Sequence, residues 1–333
     1  MMVISRTPFR ISFFGGGTDY PAWYKDNGGV VLGATIDKYC YVIVRYLPPF
    51  FNYKYRIRYS HREETQTIDE IKHPSVRECL RFLKFDRGVE IQHNADLPAQ
   101  SGIGSSSAFT VGLLNALYAL KEKMVTKRQL ALDAIHVEQQ RIGESVGSQD
   151  QTFAAFGGFN KITFGGEQEV VVQPIIVDHE KLERLQQHFV LFFTGFSRNA
   201  SEIAAEQISK IPERKKELQA MQHLTEEAIN VLCCNGASPD DIGKLLHETW
   251  QVKRSLTSKI TTSAIDEIYQ AGRSAGAVGG KLLGAGGGGF ILFLVKPELQ
   301  PALREKLKKL VYVPFKFEDL GTQIIYYRPN NNF

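Results

Sequence analysis

Hydrophobic positions along the chain follow two different spacings, which predict a mixture of β-strands and α-helices. Strand-like apolar runs lie at 3–6, 11–14 and 39–46. Residues 53–59 alternate aromatic and basic side chains, which is typical of a half-buried strand, and no RNA-binding signature accompanies them to support base stacking. Helical periodicity then predicts helices at 108–120 and from 127 to about 142.

The second half of the chain shows the same mixture. Strands are predicted at 188–194, 290–295 and 322–327, and helices are predicted to begin near 199, 212, 239 and 263. Both halves therefore resemble antiparallel sheets with helices on one side, which is an α+β fold. The chain has 333 residues, about twice the length of a usual domain, and no repeat or low-complexity linker. We therefore predict two packed domains, 1–180 and 181–333.

Composition and charge exclude several classes of protein. With 43% hydrophobic and 23% charged residues, the chain is typical of a globular protein and not of a disordered or fibrous one. Its 40 basic and 36 acidic residues give a net charge of +4 and are interspersed, which argues against dedicated nucleic-acid binding. The uncharged stretch 97–120 is too short in its apolar part for a membrane span. We expect neither nucleic acid nor membrane as a partner.

The cysteines and the N-terminus bear on the cellular compartment. The four cysteines lack the paired spacing of a zinc knuckle, and the adjacency of two of them argues against a disulfide between them. At the N-terminus, Arg6 and Arg10 come before any apolar signal-peptide core. These features predict reduced thiols and a cytoplasmic protein.

A serine- and glycine-rich segment at 97–108 follows a predicted strand and runs directly into an apolar helix. Its small residues let the backbone approach a ligand, and the helix start offers unpaired N–H groups that can cradle a phosphate. A Walker A loop would need a lysine before the hydroxyl residue, and none is present. The segment predicts a phosphate loop of another kind, and the alternative is a serine-rich helix cap.

A second glycine-rich segment, 281–290, contains a literal G-x-G-x-x-G from Gly284 to Gly289. A dinucleotide-binding fingerprint should open a helix after a strand, whereas here an apolar strand follows the glycines. Successive glycines instead favour a loop that closes onto a neighbouring ligand or backbone, and the alternative is a tight hairpin without function.

Two further segments carry acidic side chains. At 8–20 a predicted strand ends in three glycines followed by Thr18 and Asp19, where the carboxylate can accept two sugar hydroxyls; the alternative is an Asx-type turn. Glu138 and Asp150 are twelve residues apart. Phosphoryl transfer needs one carboxylate to hold Mg²⁺ and another to meet the attacking hydroxyl, although either acid alone is typical of a solvated surface residue.

Together these segments resemble one family, the GHMP small-molecule kinases, which include galactokinase, homoserine kinase, mevalonate kinase and phosphomevalonate kinase. Residues 8–20 align without gaps with the galactokinase sugar motif, 98–108 with the ATP loop and 283–290 with the C-terminal glycine motif. The resemblance implies an N-terminal domain like ribosomal protein S5 domain 2 and a ferredoxin-like C-terminal domain. It also implies an enzyme that uses ATP and Mg²⁺.

The resemblance implies roles for individual residues. Asp150 matches the catalytic aspartate, with Gln149 in place of the usual Met, and Arg10 matches the basic residue that pairs with this acid and lowers the pKa of the nucleophile. Ser106 and Glu138 match the Mg²⁺ ligands. The sugar-binding positions are Gly16, Gly17, Thr18 and Asp19. The ATP-binding positions are Gly102, Ile103, Gly104, Ser105, Ser106, Ser107, Gly284, Gly286 and Gly287.

Within the family, Gly15, Gly16 and Gly17 depart from the Gly-Glu-His of galactokinase. Segments 34–39, 194–202 and 253–257 are instead similar to those of D-glycero-D-manno-heptose 7-phosphate kinases. This likeness implies phosphorylation of the anomeric hydroxyl to the 1,7-bisphosphate. The alternatives are a kinase of an unphosphorylated sugar of the fucose, arabinose or galactose type, and a non-catalytic sugar sensor, against which the retained catalytic and metal positions argue.

A phosphorylated sugar needs a cationic partner for its distal phosphate. Arg198 is the first candidate, because it lies shortly after the strand ending at Thr194, with Asn199 and Ser201 able to cap the next helix. The alternative is a surface arginine that pairs with Glu202 one turn later. The next candidates are Lys38, Arg45 and Lys253.

Overall fold

The computed structural model describes residues 1–166, 169–195, 200–234 and 236–329. Their strands are β1 (Met2–Phe14), β2 (Gly29–Tyr46), β3 (Tyr55–Arg58), β4 (Arg62–Thr65), β5 (Val89–Ala95), β6 (Phe159–Phe164), β7 (Val170–Pro174), β8 (Phe189–Phe193), β9 (Gly279–Leu282), β10 (Phe290–Leu294), β11 (Val311–Val313), β12 (Phe317–Glu318) and β13 (Gln323–Arg328). Their α-helices are α1 (Pro21–Asn27), α2 (Pro74–Phe82), α3 (Ser105–Leu120), α4 (Lys127–His136), α5 (Gln149–Phe156), α6 (His179–His188), α7 (Ala200–Lys210), α8 (Lys215–Cys233), α9 (Pro239–Ser255), α10 (Ser263–Ser274) and α11 (Gln300–Lys306).

The strands form two sheets. The larger sheet has the order β13-β1-β2-β5-β3-β4, with β6 and β12 also paired to β2 and β7 paired to β6. Its strand pairs are antiparallel except for β3 and β5, which run parallel. The smaller sheet, β11-β8-β10-β9, is antiparallel throughout. The mixture of helices and mainly antiparallel sheets confirms the predicted α+β class.

The path of the chain between the two sheets differs from the predicted division into domains 1–180 and 181–333. The smaller sheet begins with β8, shortly after residue 180, but β12 and β13 return to the larger sheet and pair with β2 and β1. The strand predicted at 322–327 is therefore present, yet it belongs to the first sheet, so 181–333 is not one contiguous unit of the second sheet. The boundary near residue 180 itself stays a prediction.

Strand β1 changes its surroundings halfway along. Buried and half-buried residues alternate over its first five positions, whereas every residue from Thr7 to Phe14 is buried. Helix α3 packs on this strand, and α8 and α9 of the second half of the chain also contact it. The buried end of β1 therefore lies between the two halves of the molecule, where it carries Arg10.

The predicted apolar helix at 108–120 is α3, and most of its residues are buried. At Gly112 the helix lies so close to β1 that a Cβ atom would be 2.6 Å from the Thr7 hydroxyl oxygen. Ser5 donates a hydrogen bond of 2.8 Å to the Gly112 carbonyl. This close packing holds the middle of α3 against the first half of β1.

The helix predicted from 127 to about 142 is continuous but changes type. Thr126 caps the start of α4 by accepting a hydrogen bond from the Gln129 amide. The chain continues as a π-helix over Val137–Ile142 and ends at Gly143, whose φ of +77° is left-handed. Such wide turns are common at functional sites, and here the wide turn contains the buried Glu138.

Three further expectations concern other parts of the molecule. The alternating segment 53–59 forms a strand only over Tyr55–Arg58, and its Arg56 is buried against Glu90 at 3.1 Å, so one basic side chain faces inward. All four cysteines are free thiols, two buried and two exposed. Within the described ranges, no helix has both the length and the apolarity needed to cross a bilayer.

Candidate active site

One cavity of about 220 Å³ brings together segments that are far apart in the sequence. Its wall is formed by the end of β1, the loop before α3, the start of α5, the start of α7, part of α9 and the loop after β9. The predicted site residues that line it are Arg10, Gly16, Gly17, Asp19, Gly102, Gly104, Ser105, Ser106, Ser107, Asp150 and Gly284. The structure therefore places most of the predicted sugar, ATP and catalytic positions around one space.

Arg10 and Asp150 form an ion pair on the cavity wall. Nε and Nη2 of Arg10 lie 2.8 and 2.7 Å from Oδ1 of Asp150, and Nη1 donates to the Gly102 carbonyl at 2.7 Å. The arginine side chain is 5% exposed and the aspartate side chain 26%. Both contacts use the same carboxylate oxygen, and no described residue donates to Oδ2 of Asp150. That oxygen remains available to a ligand.

Asp19 is the second carboxyl group of the cavity. It is buried, Oδ1 accepts from the Gly17 amide at 3.0 Å, and Oδ2 accepts from the Gln149 amide at 3.3 Å. Burial raises its pKa, and the nearby charge of Asp150 raises it further. A Cβ atom on Gly147 would lie 1.8 Å from Oδ2, so this position must be glycine for the carboxyl group to fit.

Thr18 does not line the cavity, unlike its predicted sugar-binding neighbours. Its hydroxyl lies 2.9 Å from the carbonyls of Gly15 and Val30 and accepts from the Val30 amide at 3.1 Å. The residue is fully buried. The structure therefore corrects the prediction for Thr18, which shapes the glycine turn from within and has no free hydroxyl for a sugar.

The serine loop, which we define as residues 101–107, opens α3. Gly102 and Gly104 have φ angles of +83° and +74°, a left-handed conformation that favours glycine. A Cβ atom on Gly104 would lie 3.3 Å from Cγ of Arg10 and 3.4 Å from Cγ of Asp150. The start of α3, whose first N–H groups can bind a phosphate, therefore lies beside the ion pair.

Two ATP-binding predictions on the serine loop need refinement. Ile103 is buried and does not line the cavity, and its carbonyl instead accepts from the Arg10 amide at 3.1 Å. Ser106 is exposed on the cavity wall, whereas Ser107 is buried and reaches Glu138. Ser106 therefore faces the cavity, whereas Ile103 and Ser107 hold the serine loop against β1 and Glu138.

Glu138 lies behind the serine loop and does not itself line the cavity. Its Oε2 accepts hydrogen bonds from Ser107, at 2.8 Å, and from Gln151. Its Oε1 is buried and has no hydrogen-bond partner among the described residues, and burial raises the pKa of the carboxyl group to about 7. The serine that contacts Glu138 is thus Ser107, while its neighbour Ser106 lies on the cavity wall.

The unpartnered Oε1 of Glu138 bears on whether Mg²⁺ fits this region. An unpartnered buried carboxylate oxygen is the kind of ligand that a hard cation prefers. The described part of the chain contains no group of three or more His, Cys, Asp or Glu side chains that could hold a metal alone. A Mg²⁺ ion would therefore need phosphate oxygens as further ligands, as is usual for this ion. Ser106 and Glu138 stay predicted ligands.

The glycine loop, which we define as residues 284–289, packs against the serine loop. A Cβ atom on Gly284 would lie 2.4 Å from the Gly102 Cα, and one on Gly289 would lie 2.2 Å from the Ser101 carbonyl oxygen. The Phe290 amide donates to that carbonyl at 3.0 Å. The glycines thus permit the close backbone approach that the sequence predicted.

Only the first part of the glycine loop reaches the cavity, through Gly284 and Ala285. Gly286 packs against Ile260, and the Gly287 amide donates to the Ile260 carbonyl at 2.9 Å. The predicted ATP positions Gly286 and Gly287 therefore contact Ile260 and do not line the cavity.

Arg198, the candidate for the distal phosphate, lies outside the described residues. Ala200 and Ser201, at the start of α7, line the cavity. Two of the next candidates have partners elsewhere: Lys38 pairs with Asp37 at 2.8 Å, and Arg45 pairs with Glu90 at 2.6 Å. The third, Lys253, lines the cavity.

Sequence reasoning missed several cavity residues. Lys281 is buried on the cavity wall, as is Gln149, and Glu144 also lines the cavity, with a pKa that burial raises. A charged residue inside an otherwise apolar strand could have drawn attention to Lys281. Nothing local in the sequence marks Glu144, and the motif around Asp150 marks Gln149 only as a replacement of the usual Met.

Comparison with known proteins gives the family. The model of the GHMP kinase N-terminal domain matches residues 74–158, and that of the GHMP kinase C-terminal domain matches 229–313, together just over half of the chain. A D-glycero-alpha-D-manno-heptose 7-phosphate kinase from Campylobacter jejuni is 29% identical over 318 residues, 92% of this chain and 93% of that protein.

Two further similarities extend this result. A bifunctional fucokinase/GDP-fucose pyrophosphorylase from Arabidopsis thaliana is 25% identical over 91% of this chain, which spans 31% of that protein. The crystal structure of a D-glycero-D-manno-heptose 1-phosphate kinase from Bacteroides thetaiotaomicron has a TM-score of 0.74 at 24% identity and covers 99% of this chain and 100% of its own. It shows the same fold. The chain therefore belongs to the GHMP kinase family, and it is an ATP-dependent sugar kinase.

Proposed function

We propose that this enzyme transfers the terminal phosphoryl group of ATP to the anomeric hydroxyl of D-glycero-D-manno-heptose 7-phosphate, giving the 1,7-bisphosphate and ADP. The product would serve the synthesis of nucleotide-activated heptose for surface polysaccharide. The relative from Campylobacter jejuni, aligned over 92% of this chain, supports this choice of substrate. So do the three segments at 34–39, 194–202 and 253–257 that the sequence shares with such kinases.

One observation carries the proposed chemistry: a carboxylate with an available oxygen, held by a buried arginine, lies beside the N-terminus of a helix. Oδ2 of Asp150 receives no hydrogen bond from the described residues, while Arg10 holds Oδ1 from two nitrogens. A base so fixed can take the proton of the attacking hydroxyl without reorienting. The helix start at Ser105 supplies N–H groups for the phosphoryl oxygens.

The proton and the phosphoryl group move in opposite directions in this scheme. The anomeric oxygen forms a bond to the terminal phosphorus, the bond between that phosphorus and the bridging oxygen of ATP breaks, and the hydroxyl proton passes to Asp150. Asp19 holds sugar hydroxyls, because its carboxyl group is kept in place by two backbone amides. Arg10 keeps Asp150 oriented through this transfer.

Mg²⁺ fits this scheme as the proposed cofactor. When bound, it neutralises charge on the phosphate oxygens of ATP. Glu138, with its unpartnered Oε1, and Ser106, on the cavity wall, are the residues proposed to hold it. Ser107 and Gln151 fix the orientation of the Glu138 carboxyl group through Oε2.

The proposal is tested by steady-state kinetics with a panel of acceptors: heptose 7-phosphate, galactose, fucose and arabinose. We expect kcat/KM for heptose 7-phosphate to exceed that for each unphosphorylated sugar by at least 100-fold, with turnover dependent on both ATP and Mg²⁺. A higher kcat/KM for an unphosphorylated sugar would reject the substrate and retain the anomeric kinase. ATP consumption that does not depend on any sugar would reject both.

The second candidate is the kinase of an unphosphorylated sugar of the fucose, arabinose or galactose type. The similarity to the plant protein, whose name includes a fucokinase, is the observation that favours it. The same panel separates the two candidates. A non-catalytic sensor would bind a sugar without consuming ATP.

A further inference from the structure

Two buried lysines on the cavity wall take no part in the scheme above. Lys253, on α9, donates to the carbonyls of Leu282 and Gly284 at 3.2 and 2.5 Å. Lys281, on β9, donates to the carbonyl of Phe13 at 2.8 Å. Both side chains line the cavity, and the residues are 4% and 1% exposed.

Neither ammonium group has an acceptor for each of its three donors among the described residues. An ammonium group has three donors, and burying one is costly unless it is paired with an acceptor of opposite charge. Among the described residues neither Lys253 nor Lys281 has a carboxylate within ion-pair distance, and the carbonyls account for two donors of the first and one of the second. Donors therefore remain on both lysines.

The other charges of the cavity do not supply the missing anion. Asp150 is already paired with Arg10, and both oxygens of Asp19 accept from backbone amides. Glu144 lines the cavity on the segment before α5, but burial raises its pKa, which weakens its charge. The cavity thus holds two buried lysine amino groups without a described counter-charge, and for their charged forms a ligand is the remaining source of one.

The pKa values of the two lysines also favour a bound anion. Burial and, after it, the charge of Arg10 lower the pKa of Lys253, which is about 7 although Asp19 and Asp150 act in the opposite sense. Burial and the charges of Lys253 and Arg10 likewise lower the pKa of Lys281. An anion bound between these groups would favour their charged forms, because opposite charge raises the pKa of an ammonium group.

We propose that Lys253 and Lys281 form an anion subsite that receives a terminal phosphate group of one of the substrates. The inference rests on the proposed function, since it assigns a place in that cavity to a phosphate of the reaction. Two sources of this phosphate share the same chemistry: the distal phosphate of the sugar and the phosphoryl group in transfer from ATP. Carbonyl contacts hold the two ammonium groups in place before the ligand arrives.

The first test is the kinetics of Lys253→Met and, separately, Lys281→Met, with Lys308→Met as a matched control because Lys308 is an exposed lysine paired with Glu305. If the subsite holds the distal phosphate, KM for heptose 7-phosphate rises at least 10-fold, while KM for ATP and turnover of unphosphorylated sugars stay within about 2-fold. If it holds the phosphoryl group in transfer, kcat falls at least 10-fold for every sugar.

The second test reads binding without catalysis. Heptose 7-phosphate and inorganic phosphate are titrated calorimetrically at pH 8 in two buffers with different ionisation enthalpies. Because a pKa of about 7 leaves Lys253 largely neutral at this pH before binding, we expect the wild type to take up protons when it binds an anion, and Lys253→Met to take up fewer. Melting curves of the ligand-free variants show that each has folded.

Unchanged kinetic constants together with unchanged proton uptake in folded Lys253→Met would overturn the subsite. So would an equal, small loss for all substrates accompanied only by a lower melting temperature, because that result would assign Lys253 to holding the glycine loop. If the wild type fails to use heptose 7-phosphate, the proposed function fails, but kcat with the accepted sugar and the phosphate titration still test the subsite.

Discussion

Two walls of the cavity differ in how complete their contacts are. On the first, which we call the carboxylate wall and define as Arg10, Asp19 and Asp150, each charged group has a partner from the protein. On the second, the serine loop, the helix start offers amides to the cavity, Ser106 is exposed, and Glu138 behind the loop has an unpartnered oxygen. The charged groups of the first wall are therefore held by the protein itself, whereas behind the second wall a buried carboxylate oxygen has no partner among the described residues.

Because of this difference, we expect substitutions on the carboxylate wall and at Glu138 to have different effects on activity. A change on the carboxylate wall removes a partner from a group that is already buried and oriented, so its effect on chemistry or sugar binding is direct. A change at Glu138 alters a group whose proposed partner arrives with ATP, so most of its effect is conditional on metal and nucleotide.

The largest effect is expected for Asp150→Asn. The amide cannot take the proton of the attacking hydroxyl, so kcat should fall by roughly 10²–10⁴-fold, the usual contribution of general-base catalysis. KM for ATP should change little, because the helix start is untouched. Steady-state kinetics measures both constants, and near-normal turnover of the folded variant would remove Asp150 from the mechanism.

A smaller effect is expected for Gly147→Ala. The new Cβ atom would lie 1.8 Å from Oδ2 of Asp19 and must displace this carboxyl group. Loss of a hydrogen bond to a charged group is worth about 1.5–3 kcal/mol, so KM for the sugar should rise roughly 10- to 100-fold while KM for ATP stays constant. An unchanged KM for the sugar in Gly147→Ala would show that Asp19 does not bind it.

On the other wall, Glu138→Gln should raise the Mg²⁺ concentration needed for half-maximal activity by about 10-fold. The amide still reaches its neighbours but no longer offers a charged oxygen to the cation. Kinetic titration with Mg²⁺ at saturating ATP measures this requirement. An unchanged titration would reject Glu138 as a ligand.

The same variant offers a measurement without metal or nucleotide. Because the pKa of Glu138 is about 7 in the folded state and lower in the unfolded chain, the folded state binds more protons between these two values. The wild type should therefore lose stability relative to Glu138→Gln as the pH rises from about 4.5 to 7. Denaturant unfolding at several pH values measures the difference, and a constant difference would contradict the raised pKa.

The smallest effect is expected for Thr18→Ser, which keeps the buried hydroxyl that lies near the carbonyls of Gly15 and Val30. KM for the sugar should change less than about 2-fold, because the residue supports the turn and does not face the cavity, and stability should fall by about 1 kcal/mol for the lost methyl group. A large rise in KM without loss of stability would return Thr18 to the sugar site.

The local patterns of the sequence predict much of this site. The glycines and serines of the two loops indicate close backbone approach and a helix start, and the motif order links Arg10 with Asp150 across 140 residues. These features could be predicted because they depend on a few neighbouring residues and on their likeness to a known family. The α+β class follows for the same reason, from the spacing of apolar positions.

The remaining features depend on tertiary packing. Ser106 and Ser107 are adjacent and chemically identical, and only the rotation of α3 against the π-helix decides which one contacts Glu138. Thr18 has the same side chain whether it faces a sugar or two carbonyls. The burial of Lys253 follows from the position of α9 against the glycine loop, which no segment of the sequence states by itself.

The return of the last two strands to the first sheet has a consequence for biosynthesis. Strand β13 covers the edge of β1, and the adjoining turn packs on α5: the Thr322 amide donates to the Ala154 carbonyl at 2.8 Å, and Gly321 lies against Gly157. The ribosome therefore has to release the C-terminal segment before the strand with Arg10 and the helix with Asp150 receive their final neighbours. A nascent or truncated chain that ends near residue 313 would contain every described catalytic side chain and still leave an open β-edge, which is a known starting point for aggregation.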